Sequence, residues 1–336
     1  MEHRQKIYAI FYDLTNAFGT VCVPILLRKF EMNGVRGVAL DWLRSSLTVR
    51  TQVVKMTQRV GKWERTVYSS EVSVVRGTPQ GGVLSPSLFV GGVCDMLLYV
   101  LIGFTVNYAD DTSSLISAAD NEQLYQNARL SADMLQHFCE ANFLVLNASK
   151  SVLVQFRGRK HNEFPQINLA GQIIPCAEQA KFLGLHVRQD CKWDDHAQYV
   201  SGCLHTTVTM LNGLKGNVDE KSLINGYNAH ANSNMPFGIV IWGASDGALW
   251  TVFVAQKRLI RALAGKRACK RTLSWHWCGR FFSCTTRSGI RGRRASGAVK
   301  CRIDLENLKQ LIVNEFIERR RLWQRKLRRK LLYEKF

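Results

Sequence analysis

The sequence contains no pair of cysteines two residues apart, the spacing of zinc ribbons and redox motifs, although ten cysteines are scattered along its 336 residues. It also lacks a secretory pattern, because the first apolar run, in MEHRQKIYAIFYDL, is interrupted by Asp13 after a few residues. The cysteines are therefore expected as reduced thiols, mostly filling the core. No stretch reads as a bilayer span: residues 77–94 carry no charge, yet Pro79, Pro86 and five glycines there would strand backbone groups in lipid. These absences lead to the expectation of an intracellular protein, nuclear or cytoplasmic, with no membrane partner. The nearest approach to a metal cluster, Cys269, His276, Cys278 and Cys284, has spacings unlike the common zinc patterns.

Acidic residues are scarce at one end. Residues 257–336 hold 24 Lys and Arg against five Asp and Glu, whereas residues 1–256 hold 22 against 21, so the net charge of +20 sits almost wholly in the last quarter. Such a basic end suits nucleic acid, since each phosphate it neutralises releases a condensed counterion. A solvated charged helix, or a tail never selected as protein, stands beside that reading. A final helix is expected at about 308–332, with Leu308, Ile312, Phe316, Trp323, Leu327 and Leu331 along one stripe and Arg319, Arg320, Arg325, Arg328 and Arg329 around it.

The length suggests two or three structural units. Residues 7–14 read as an apolar strand ending on Asp13, followed by helical character through TNAFGTVCVPILLRKF. Residues 50–76 read as hairpin strands with RVGKWERTV at the bend, and GTPQGG, at 77–82, as a loop. SPSLFVGGVCDMLLYVL reads as a helix capped by Ser85 with Pro86 as its first residue. Asp120 and Gln123 form a capping box for a helix with Leu124, Ala128, Ala132, Leu135, Cys139 and Phe143 on one face. LVLNASKSVLVQF and KFLGLHV return to strand patterns, and residues 196–265 are mainly helical.

Between these elements lies VNYADDTSSLIS, residues 106–117, where two adjacent carboxylates interrupt a β-prone run. The alternation places Phe104, Val106 and Tyr108 on one face, Leu115 on the far side of the turn, and Asp110 and Asp111 at a hairpin tip. A carboxylate at the end of a buried strand, as at Asp13, is costly unless it is paired or binds metal.

In order, FYDLTNAFGTV, RGTPQGGVLSPSLF, YADD, LNASKSVLVQF and KFLGLHV resemble the reverse transcriptase domain of non-long-terminal-repeat retrotransposons, over about residues 7–265. Further on, YNAHANSNMPFGIVIWGAS and VFVAQKRLIRALAG look like the thumb-side region of jockey-type elements of insects. The resemblance implies an α+β fold: a right-hand polymerase palm, an antiparallel sheet backed by helices, with partial fingers over residues 1–190. A helical thumb-like region over 191–268 and a basic tail with its amphipathic helix over 269–336 would follow. The family's fingers lie mostly upstream of the first carboxylate, where this sequence has twelve residues, which implies a chain shortened at its start.

Joining a primer hydroxyl to a nucleotide's α-phosphate calls for two Mg²⁺ ions about 4 Å apart, held by hard oxygen ligands. The resemblance assigns that role to Asp13, Asp110 and Asp111. It places Phe18 under the incoming sugar, Gln80 and Gly81 in the loop that approaches template and nucleotide, and Tyr108 among the substrate contacts. Lys150 aligns with a lysine that protonates the departing pyrophosphate, and Phe182, Leu183 and Gly184 with the primer grip. Asn16 and Gly19 depart from the family, which usually has Lys and Asp there. The partners implied are an RNA template, a DNA primer and a deoxynucleoside triphosphate. A non-catalytic nucleic-acid-binding remnant of a decayed element is the competing reading.

Overall fold

A computed structural model of the chain describes residues 6–61, 63–156 and 166–264. The expected helix at 308–332, the basic tail and the group Cys269, His276, Cys278 and Cys284 lie outside the described residues. Two compact units divide the chain, Met1–Leu183 and Gly184–Phe336.

The first unit begins with β1 (Lys6–Tyr12), α1 (Ala17–Thr20), α2 (Val23–Met32) and α3 (Val38–Thr48). Short strands β2 (Thr51–Gln52) and β5 (Val72–Ser73) pair with each other and frame a hairpin of β3 (Lys55–Val60) and β4 (Trp63–Tyr68). The bend of that hairpin is tighter than the sequence suggests, because WERTV belongs to β4. Helices α4 (Ser85–Val93) and α5 (Met96–Tyr99) follow, then β6 (Phe104–Tyr108), β7 (Asp111–Ala118), α6 (Asn121–Ala141) and β8 (Val152–Phe156). Strands β9 (Asn168–Leu169), β10 (Gln172–Ile173), β11 (Cys176–Ala177) and β12 (Gln179–Phe182) complete the unit.

Five strands form the main sheet in the order β11-β8-β1-β7-β6, antiparallel throughout except for the β11–β8 pair. Its central strand is buried on one face through Tyr8, Ile10 and Tyr12, which join the core against α6, while on the other face Ala9 is buried and Ile7 and Phe11 are half-buried. The long α6 covers the core face through Leu124, Ala128, Ala132, Leu135, Phe138 and Cys139. Its first turn is capped as expected, the Asp120 carboxylate accepting from the Gln123 backbone N–H at 2.7 Å. Phe143 leaves the expected stripe because α6 stops at Ala141 and Phe143 turns to positive φ (58°) with its ring exposed.

Two further expectations are corrected in the segment before β6. Ser85 is the first helical residue rather than the cap, a position taken by Leu84, and the Ser85 hydroxyl instead donates to the Pro79 carbonyl, closing the preceding loop. The expected single helix is broken at Cys94–Asp95 into α4 and α5. The break leaves Asp95 free to pair with Lys29, whose ammonium donates to the Asp95 carboxylate and the Gly92 carbonyl, both at 2.7 Å, and lies 5.0 Å from the centre of the Phe138 ring. Of the six described cysteines, all free, Cys139 is buried, Cys94 is exposed and the others are half-buried, so core filling explains one of them.

The second unit starts with β13 (Leu185–Arg188) and continues through α7 (Asp194–Leu214), α8 (Glu220–Asn234), α9 (Ile239–Trp242) and α10 (Asp246–Ala264), in line with the helical reading of 196–265. Leu204, Leu211, Tyr227, Trp242, Val252 and Leu259 form its core, and Asp219 caps α8 by accepting from the Ser222 N–H at 3.2 Å. His196 is buried among Trp193, Trp242 and His186, and burial, with His186 nearby, pushes its imidazole down to about 4. Among the described residues no helix is long and apolar enough to cross a membrane.

The entry into β6 depends on Gly103, whose φ of +80° disfavours any side chain and whose added Cβ would sit 2.5 Å from the Leu115 carbonyl oxygen. Gly103→Ala is expected to cost about 3 kcal/mol, combining left-handed strain with a clash against backbone that cannot rotate away. Urea unfolding should report it as a lowered midpoint with an unchanged slope.

Candidate active site

The antiparallel register of β1 and β7 ends on the pair Tyr12–Thr112, so Asp13, one residue past β1, stands beside Asp111, the first residue of β7. Tyr108 pairs with Asp111 across the β6–β7 hairpin, leaving Ala109 and Asp110 as a two-residue loop. Ala109 has φ +54°, a conformation that costs an L-residue about 1–2 kcal/mol and that glycine occupies freely. The three carboxylates thus lie at adjoining strand ends, on a rim of the sheet. Asp13 is half-buried, and Asp110 and Asp111 are exposed. The Asp111 carboxyl is held above its ordinary value by partial loss of hydration and then by the negative charges of Asp110 and Asp13. Among the described residues none of the three takes part in a salt bridge. They stay spread: no three His, Cys, Asp or Glu side chains among the described residues gather closely enough to hold a metal ion.

What fixes Asp13 is a latch from the turn before β8. Its backbone N–H donates to the Ser151 hydroxyl at 3.1 Å, its carbonyl accepts from the Asn147 N–H at 2.9 Å, and the Ser151 hydroxyl donates onward to the Asn147 carbonyl at 2.8 Å. Ser151 is fully buried. Leu14 bridges Leu146 beside the latch, and the Thr15 N–H donates to the Val145 carbonyl at 2.8 Å. Sequence reasoning passed over Ser151 and Asn147; a small polar residue directly before an apolar strand was their only signal.

Lys150, between them, is exposed, and its backbone N–H meets the Asn147 side-chain oxygen at 3.3 Å. Phe18 stacks on Phe89 of α4, ring centres 4.6 Å apart, which makes it part of the wall between α1 and α4. The loop carrying Gln80 and Gly81 is docked onto the same segment, since the Thr78 N–H donates to the Phe18 carbonyl at 2.9 Å and the Gly77 N–H to the Val21 carbonyl at 2.8 Å. Gly77 is required there: a Cβ would lie 2.9 Å from Gly19 Cα. Gln80 and Gly81 are both exposed, and nothing lies within 4 Å of where a Cβ on Gly81 would be, so the backbone there is open to a close approach.

The two departures at Asn16 and Gly19 are physically coupled. Asn16 adopts left-handed geometry (φ 46°) before α1, and its side chain occupies the space a Cβ at Gly19 would need. Phe182 packs on Phe11, ring centres 5.3 Å apart, and Phe11 precedes Asp13 by two residues on the same strand face. Leu183 and Gly184 follow, both at positive φ (47° and 83°), and Tyr108 is half-buried at the end of β6. Carboxylates, Phe18 loop, Lys150 turn and Phe182 therefore converge on the strand ends of one sheet.

Residues 1–187 match the family model described as reverse transcriptase (RNA-dependent DNA polymerase). The chain belongs to the reverse transcriptase family. An open five-stranded sheet with helices against it is the mixed α and β architecture of reverse transcriptases. Similar curated proteins include the RNA-directed DNA polymerase from mobile element jockey of Drosophila melanogaster, 24% identical over 283 residues, 79% of this chain and 29% of that protein. The putative 115 kDa protein in type-1 retrotransposable element R1DM, also of Drosophila melanogaster, is 24% identical over 194 residues, 57% of this chain and 18% of that protein. The chain thus spans less than a third of the length of these relatives. Among solved structures, telomerase from Candida albicans aligns with a TM-score of 0.38 and 11% identity, covering 83% of this chain and 51% of that one.

Two outcomes test this geometry. An acid whose folded value is raised gives up its proton later in the folded than in the unfolded chain, so its contribution to stability is present at low pH and lost as pH rises through the raised value. Asp111→Asn should therefore melt above the parent in metal-free buffer, the gap opening as pH climbs from about 4 and levelling off once pH has passed the raised value. Ser151→Ala removes the acceptor of the Asp13 N–H and should cost about 1–3 kcal/mol in chemical unfolding, with Ser151→Thr milder.

Proposed function

We propose that this chain is the polymerase core of an RNA-directed DNA polymerase from a jockey-like non-long-terminal-repeat retrotransposon, extending a DNA primer on an RNA template with deoxynucleoside triphosphates. The observation that carries this reading is the placing of three like-charged carboxylates at adjoining strand ends, where loss of hydration and then Asp110 and Asp13 raise Asp111. Two of the three are exposed and none has a basic partner among the described residues, and carboxylate oxygens are the hard donors that divalent cations of the Mg²⁺ kind prefer. Asp13, Asp110 and Asp111 would hold a pair of them. Loaded, the site would gain the positive charge needed to acidify the primer hydroxyl and to neutralise the phosphorus and pyrophosphate.

The chain's own residues supply positioning. Phe18, braced by Phe89, would lie under the sugar, and Tyr108 would border the same pocket. Gln80 and the unobstructed backbone at Gly81 would meet template and nucleotide. Lys150 would hold a proton on its ammonium for the departing pyrophosphate, and Phe182, Leu183 and Gly184 would steady the primer end. The non-catalytic nucleic-acid-binding reading is favoured by one observation, the spread of the carboxylates short of a three-ligand cluster.

Primer extension on an RNA template with Mg²⁺ decides between them, comparing the chain with Asp110→Asn. The polymerase reading expects product from the parent and a loss of at least about 100-fold in the variant. Product at the variant's background level from both leaves the binding reading. Mg²⁺ should also raise the melting temperature of the parent and not of Asp110→Asn.

A further inference from the structure

The hairpin β3–β4 stands apart from the carboxylates and has no role in the reading above. Every described side chain on its two strands is exposed. The register pairs Met56 with Val67 and Gln58 with Arg65, and closes with Trp63 opposite Val60, so Met56, Val67, Gln58, Arg65 and Trp63 share one face. On that face Trp63 is 82% exposed, Met56 67% and Val67 51%. A soluble surface rarely leaves a tryptophan that bare without a partner for it.

Charge selects the partner. From Lys55 to Tyr68 the sequence holds Lys55, Arg59, Lys62 and Arg65 against Glu64 alone. A two-stranded ribbon is about one Debye length across, so cations on either face add to the field felt by a ligand on the other. Two copies of such a ribbon would repel, and an apolar peptide would leave Arg65 and Gln58 without a purpose. Successive rungs on one face are about 7 Å apart, and they run from an aliphatic pair through a guanidinium and amide to an aromatic ring. Stacking surfaces interleaved with donors to phosphate are what single-stranded nucleic acid needs, because every base has a face to stack and every linkage a charge to neutralise.

The arm is also firmly rooted. The Arg50 guanidinium donates to the carbonyls of Leu47 at 3.1 Å, of Arg76 at 3.3 Å and of Gly77, and the Val74 N–H donates to the Arg50 carbonyl at 2.8 Å. Through Gly77 and Thr78 the root is tied to Val21 and Phe18, the segment that follows Asp13. We propose that the β3–β4 hairpin is a single-strand-binding arm, on which bases stack against Trp63 and the Met56–Val67 pair while Arg65 on that face neutralises phosphate and Lys55 and Arg59 on the opposite face add to the attracting field. This holds whether or not the carboxylates are catalytic.

Fluorescence anisotropy with labelled oligo(U), oligo(dT) and an abasic strand of equal length tests it on the full chain, whose basic end contributes equally in every comparison. Trp63→Ala should weaken binding of both base-bearing strands by about 5- to 100-fold and leave the abasic strand unaffected. Arg65→Ala should reduce the salt slope by about one charge on all three. The tighter of oligo(U) and oligo(dT) identifies the strand held. Both variants should keep the parent's melting temperature and its response to Mg²⁺, which separates failure of the arm from failure of the carboxylate site. Unchanged affinities in both variants overturn the proposal. So does a Trp63→Ala chain that sediments as a monomer where the parent is a dimer while binding oligonucleotides as before, since the face would then belong to a second copy.

Discussion

Everything at the candidate site depends on one antiparallel register. Pairing Tyr12 with Thr112 brings Asp13 beside Asp111, two residues nearly a hundred positions apart in the chain. A slip of one residue would turn Asp13 toward α6, where a carboxylate among Tyr8, Ile10 and Leu135 would have neither water nor counter-charge. The size of the buried tyrosines opposes that slip, because it would carry Tyr8 and Tyr12 off the face they fill, so their burial on one face places the acids on the other. Core packing and placement of chemistry are here the same constraint.

The second support is a set of backbone bonds. Asp13 is seated at both its N–H and its carbonyl by the Asn147–Ser151 turn, which leaves its side chain uncommitted. At the hairpin tip the opposite arrangement holds, with Ala109 in a conformation that favours glycine and the neighbouring carboxylates facing solvent and one another. One acid is rigidly presented and two are poised on a strained turn. Sites whose groups must meet a cation often combine these features, because local strain and like-charge repulsion are offset only when the ligand arrives.

Much of this was legible in the sequence for definite physical reasons. An apolar run ending on Asp13 announced β1, alternation around the paired aspartates announced the β6–β7 hairpin, the i, i+4 pattern with Asp120 and Gln123 announced α6, and the ordered motifs announced the family. What escaped was what local pattern does not encode. Ser85 bonds to Pro79 rather than capping its helix, since a hydroxyl chooses the acceptor that tertiary geometry offers. The break between α4 and α5 serves a distant lysine, Lys29. Ser151 looks like any serine before a strand until Asp13 is folded onto it. The carboxylate positions were legible individually, whereas the distances between their side chains, short of a closed cluster among the described residues, are tertiary geometry that no motif records.

The coupling of Asn16 and Gly19 bears on how this branch of the family can change. Because the amide at 16 fills the volume a side chain at 19 would need, an aspartate at 19 requires the Asn16 side chain to swing away first, and a lysine at 16 would have to stand in left-handed backbone. The two sites form an epistatic pair beside the first acid. A side chain added at one is felt first at the other, so volume there is shared rather than owned by either residue.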